Sequence, residues 1–118
     1  MNAKKELLDK IESYPVQVWF RKPYTIKCCE IRMEYYQFDD TSNEILLREG
    51  YTQEEYQQFL EKLDFDYDSG YGIQHMYGTV WFTEPGVWME RRDYDGSEWW
   101  EIYKCPEIPE VLKAWYLF

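Results

Sequence analysis

Histidine, cysteine and basic side chains are scarce in this chain, and each scarcity excludes something. One histidine, His75, and three cysteines are too few for the spaced Cys and His pairs of a structural zinc site. The cysteine count is odd and Cys28 and Cys29 are adjacent, so their side chains point to opposite faces of any strand that carries them. That arrangement suits reduced thiols in a cytoplasmic protein rather than a disulfide framework. No apolar run approaches the ~20 residues of a membrane span. Charges interrupt the apolar residues of the first ten positions, where a secretory signal needs an unbroken apolar stretch. With 13 Lys+Arg against 23 Asp+Glu the net charge is −10, a sign that opposes direct binding of nucleic acid or of an anionic membrane.

What the chain does have is apolar and aromatic bulk. Its 118 residues are 45% hydrophobic and 20% aromatic, which excludes a disordered acidic tail and predicts one domain, 1–118, with a true core. Residues 3–14 carry Ala3, Leu7, Ile11 and Tyr14 at helical spacing, and Pro15 ends that helix. Val16 to Phe20 alternates as a short strand. From Thr25 to Phe38, Cys29, Ile31, Met33 and Tyr35 alternate with Glu30, Arg32 and Glu34, the period of a strand with one wet face. Asp39 to Asn43 is turn chemistry, and Glu44 to Glu49 returns as a strand. Thr52-Gln53-Glu54-Glu55 is a capping box, followed by Tyr56, Phe59, Leu60 and Leu63 on one face of a helix over 53–64. Met76 to Phe82, Val87 to Arg92 and Glu98 to Lys104 read as a three-strand meander. Its second turn carries the Asp95-Gly96 hairpin signal, and Pro109 opens a last short helix through Tyr116. The pattern predicts an α+β fold: an antiparallel sheet of about six strands packed by two main helices and a short C-terminal one.

Catalytic signals are missing. Asp64, Asp66 and Asp68 alternate like the start of a calcium loop, but the glycine at position 70 falls one place late and the twelfth position is His75 instead of a bidentate Glu. No nucleophile elbow or phosphate-cradling glycine loop is present, and the single imidazole has no partner assigned by spacing. The expectation is therefore a protein that is not an enzyme and takes no cofactor or metal.

Two features suit a binding role. Trp81, Trp88, Trp99 and Trp100 all fall in the final meander, and since Trp99 and Trp100 are consecutive, one of them faces away from the other. The outward one is covered by a helix, by a partner, by a second copy in a homodimer, or by a stacked nucleotide with Arg91 and Arg92 supplying the cations. The second feature is uneven charge. Residues 1–32 hold seven basic and four acidic side chains, a balance of +3, whereas residues 33–110 hold five basic and nineteen acidic, a balance of −14. Glu34, Asp39, Asp40, Glu54, Glu55, Glu61, Asp64, Asp66 and Asp68 crowd one stretch of that block. These carboxylates serve either solubility alone or a contact surface for a basic partner, and in the second case Trp99 and Trp100 join them as candidate contact residues.

The run Tyr77-Gly78-Thr79-Val80-Trp81-Phe82, then Gly86-Val87-Trp88-Met89-Glu90-Arg91 and Tyr94-Asp95-Gly96-Ser97-Glu98-Trp99-Trp100, resembles the C-terminal part of small phage and prophage proteins over about the last third of the chain. Proteins of that size and acidity are similar in character to anti-CRISPR and other anti-defence inhibitors, several of which present carboxylates where a nuclease expects DNA phosphates. The resemblance implies a phage-encoded inhibitor acting in the host cytoplasm on a defence protein with a basic, nucleic-acid-binding surface. It carries over no catalytic residue, because the matched run is a hairpin scaffold. An immunity protein against a basic toxin would use the same acidic surface, and a nucleotide-sequestering protein would use the aromatic one.

Overall fold

The computed structural model describes residues 2–13, 24–34, 43–67, 74–106 and 108–112. Helix α1 spans Ala3–Ser13. It starts where the Asn2 carboxamide oxygen accepts the Lys5 amide at 2.9 Å, satisfying one of the amide groups that a helix start leaves open. Strands β1 (Ile26–Met33) and β2 (Glu44–Leu47) form an antiparallel pair, and helix α2 (Gln53–Leu63) carries the chain to β3 (Met76–Phe82). The capping box at Thr52 is formed in both directions, each bond 3.1 Å long. Strands β4 (Val87–Tyr94) and β5 (Ser97–Lys104) complete the meander.

The result is α+β: one five-stranded antiparallel sheet in the order β2-β1-β3-β4-β5 with two helices. Because α2 crosses over between β2 and β3, β3 docks on the far side of β1, and β1 becomes an interior strand. Cys29, Ile31 and Met33 of β1 are buried while Glu30, Arg32 and Glu34 are exposed, as their alternation predicts. Ile26 is buried too although it is out of phase with them. The ladder pairs Ile26 with Phe82 but Cys28 with Trp81, so Lys27 is an extra residue, a bulge that turns Ile26 back onto the core face. At the tip of β4 and β5, Asp95 and Gly96 both have positive φ, 49° and 86°, the two-residue turn that matches strand twist. Gly78 is required by close approach: a Cβ there would stand 2.4 Å from the Glu30 carbonyl oxygen.

Ala3, Leu7 and Ile11 of α1, with Phe59, Leu60 and Leu63 of α2, pack with Ile31, Met33, Ile45, Leu47, Val80, Met89 and Trp100 into one core. All of the sheet residues in that cluster lie on one face, so the helices cover one side only. Five strands, rather than about six, are present among the described residues. The Val16 to Phe20 candidate lies outside them, as do Tyr35 to Phe38 of the long strand predicted from Thr25. That strand is described to Met33, where Asn43 returns a backbone and a side-chain bond to Met33, both 3.0 Å. The short C-terminal helix is, in the described residues, one 3-10 turn at Glu110–Leu112, closed by the Leu112 amide on the Pro109 carbonyl at 2.9 Å. The remainder of its predicted span lies outside.

Candidate functional site

The acidic residues singled out by charge fall into three environments. Glu54, Glu55 and Glu61 are exposed on α2, although Glu55 also closes the capping box. Asp64 and Asp66, just beyond α2, both accept from the Asn2 carboxamide nitrogen at 3.1 and 3.2 Å. Asn2 and Asp66 also form an isolated β-bridge, so these two acids fasten the start of α1 as well as facing solvent. Glu34 is exposed at the end of β1, 4.0 Å from Arg32. Asp39, Asp40 and Asp68 lie outside the described residues.

Trp99 and Trp100 separate as consecutive strand residues must. Trp100 is 2% exposed and belongs to the core, so it is not a contact residue; the expectation that it joins a binding surface is corrected by its inward phase on β5. Trp99 is 36% exposed on the opposite face.

The inward phase of the meander also buries a charge cluster. Arg91 lies in register with Trp100, its guanidinium 5.4 Å from the indole, and its side chain has no exposure. Its Nε and Nη2 donate to Glu98 Oε1 at 3.1 and 2.9 Å, and Nη1 stands 3.0 Å from Glu6 Oε2 of α1. Arg91 Nη2 also donates to the Tyr67 hydroxyl, which in turn donates to Glu6. The second oxygen of Glu98 accepts the His75 amide at 2.8 Å, and Oε1 accepts that of Met76 at 3.1 Å. The ladder between β3 and β4 pairs only Thr79 to Trp81, and where β3 begins the Glu98 carboxylate takes up the amides of His75 and Met76 instead. Burial pulls the Arg91 pKa down, but the Glu6 charge, the Tyr67 contact and the carboxylate hydrogen bonds outweigh it and the net shift is upward. Burial and the bond to Glu6 push the Tyr67 hydroxyl upward as well, against the pull of Arg91. The cluster fastens α1, β3 and β5 to β4, with the Arg91 and Glu98 side chains fully buried and Glu6 and Tyr67 partly so. Arg91 and Arg92 therefore do not form the cationic pair that nucleotide stacking would use, because Arg91 is inside. Spacing already marks Arg91 and Glu98: each occupies the apolar phase of its strand, with Met89 and Trp100 respectively.

The other face of the sheet has no described element packed over it. Cross-strand pairing arranges its side chains in rows. Cys28, Trp81, Trp88 and Tyr103 form one row across four strands, with Trp88 and Tyr103 stacked at 5.6 Å and 19°. The next row, Glu30, Thr79, Glu90 and Glu101, is acidic, and Leu46 of β2, 49% exposed, extends it. Beyond it Arg32 lies 4.9 Å from the Tyr77 ring, and Arg92 is paired across the ladder with Trp99. The Trp99 indole donates to Glu101 at 2.9 Å. A pocket of about 150 Å³ opens on this face between Glu30, Arg32, Glu44, Tyr77 and Thr79.

Among the described residues no group of three or more His, Cys, Asp or Glu is arranged to hold a metal ion, and no described helix is long and apolar enough to cross a membrane. All three cysteines are free; burial pushes the Cys29 thiol up to about 12, Cys28 lies half-buried on the open face and Cys105 is exposed. His75 offers its backbone to Glu98 and to Glu34. Compared with known proteins, the chain matches no family, no curated protein and no solved structure.

Proposed function

We propose that this is a binding protein without catalytic activity, a phage-encoded inhibitor that docks an acidic surface on the basic, nucleic-acid-binding surface of a host defence protein. The observation that carries the reading is the −14 balance of residues 33–110 on a well-packed domain. Carboxylates from that block are exposed on α2, at the end of β1 and on the open face of the sheet. A carboxylate surface of this kind competes with phosphates for the same guanidinium and ammonium groups, and long-range attraction speeds its association. The host cytoplasm is the compartment this reading places it in.

The test is co-purification from bacterial lysate at low and at high salt, followed by competition with duplex DNA. The reading expects a nucleic-acid-binding partner that is retained at low salt, lost at high salt and displaced by the duplex. Retention that ignores both salt and DNA overturns it.

A further inference from the structure

We infer that the contact surface is the open face of the sheet, and that its occupant is an arginine-rich segment of the partner whose guanidinium groups stack on Trp81, Trp88, Trp99 and Tyr103 while Glu30, Glu90 and Glu101 take their charge. This rests on the reading above of a basic partner, and it moves the contact from α2 to the sheet.

Three observations lead there. The face exposes large apolar side chains that no described element covers, with Trp81 at 42% and Trp99 at 36%. Such a surface on a small domain marks an interface, and Trp and Tyr are the side chains that anchor one. Second, the acidic row runs directly beside the aromatic row, two residues along each strand and so ~6.8 Å away. A planar cation lying over an indole thus has a carboxylate within reach of its edge. The face already shows this contact in miniature: Arg32 lies over Tyr77 with the Glu34 carboxylate 4.0 Å from its Nη2. Third, the charge left over is negative. Arg92 stands 3.9 Å from Glu90, and Glu30 makes no ion pair among the described residues. Two copies of this face laid together would oppose acidic rows, so charge complementarity favours a basic occupant over a second copy. The pocket beside Glu30 and Glu44 is a place for one side chain of that segment to enter.

The test uses an alternating Arg-Ser peptide, its Lys-Ser counterpart and the full chain, followed through the tryptophan indole N–H signals. With the Arg-Ser peptide, the signals of Trp81, Trp88 and Trp99 move and that of Trp100 does not. Arg-Ser binds several-fold more tightly than Lys-Ser, because guanidinium stacks and ammonium does not. Trp88→Ala weakens binding by about tenfold, equivalent to ~1.4 kcal/mol. Glu90→Lys with Glu101→Lys, exposed changes that leave the aromatic row in place, weakens it at least as much. Glu54→Lys with Glu61→Lys on α2 changes it less than twofold.

If the α2 reversals abolish binding and the sheet variants do not, the face assignment is wrong while the acidic-surface reading survives. If neither set matters, both fall. A dimer in sedimentation that Trp88→Ala dissociates would make the face a self-interface and overturn the basic occupant.

Discussion

Trp99 and Trp100 are neighbours in the chain, yet they belong to two different chemistries separated by the thickness of one sheet. On the covered face, Trp100 packs among apolar side chains beside a desolvated guanidinium that has two carboxylates and a phenol around it. On the open face, Trp99 lies across the ladder from Arg92, with its indole tied to an exposed carboxylate. Arginine, glutamate, tyrosine and tryptophan occur on both. The covered face uses them to close the fold, because a buried charge must find partners, whereas on the open face no described element covers them. Burial decides which role a residue has, and composition does not.

The comparison can be broken by substitution. Arg91→Met leaves Glu98 buried and without its cation, and is expected to cost ~3–5 kcal/mol in urea unfolding. The double change Arg91→Met with Glu98→Leu is expected to cost less than the sum of the two single changes, since it removes both charges. Additive losses would show that the pair is not coupled. Trp100→Ala should cost ~3–5 kcal/mol, while Trp99→Ala stays below about 1 kcal/mol. Equal losses would mean that the two faces are equally buried.

Titration sharpens the same contrast through Cys29, whose neighbour Cys28 lies on the other face. The unfolded thiol gives up its proton near 9.0, whereas burial holds the folded one to about 12. The folded state therefore binds the proton more tightly. This contribution is complete below pH 9 and falls as pH rises, by up to ~1.4 kcal/mol per pH unit. Burial raises Tyr51, Tyr56 and Tyr67 from 10.0 in the same direction, steepening the fall at higher pH. In Cys29→Ala the decline between pH 9 and 10 should flatten in denaturant midpoints. An unchanged slope would place the titrating group elsewhere. A small effect is also expected in the helix layer: Thr52→Ala removes one direction of the capping box and should cost about 1 kcal/mol, read from the urea midpoint.

Much of the architecture was legible where one local rule was enough. The alternation of Cys29 to Met33, the capping box at Thr52 and the Asp95-Gly96 turn each specify their own backbone, and all three are present. The bulge at Lys27 was not legible, since it depends on where β3 pairs with β1. Of the candidate contact residues, the α2 acids were placed correctly as exposed. The tie from Asn2 to Asp64 and Asp66 spans more than sixty positions and has no local signature. The rows of the open face were half legible: alternation assigns Trp81, Trp88 and Trp99 to one side of their strands, but only register sets Trp88 opposite Tyr103 and Glu90 opposite Glu101.

By itself, the sequence determined the fold class, the positions of both helices and the fact that one of two adjacent tryptophans must face outward. Those follow from periodicity and capping, which act over a few residues. Only the tertiary structure decided that Trp100 is the inner one, that Arg91 is a core residue and that the helices cover a single face. The choice depends on which side of the sheet α1 and α2 bury, and that is set by the summed apolar contacts of segments far apart in the chain.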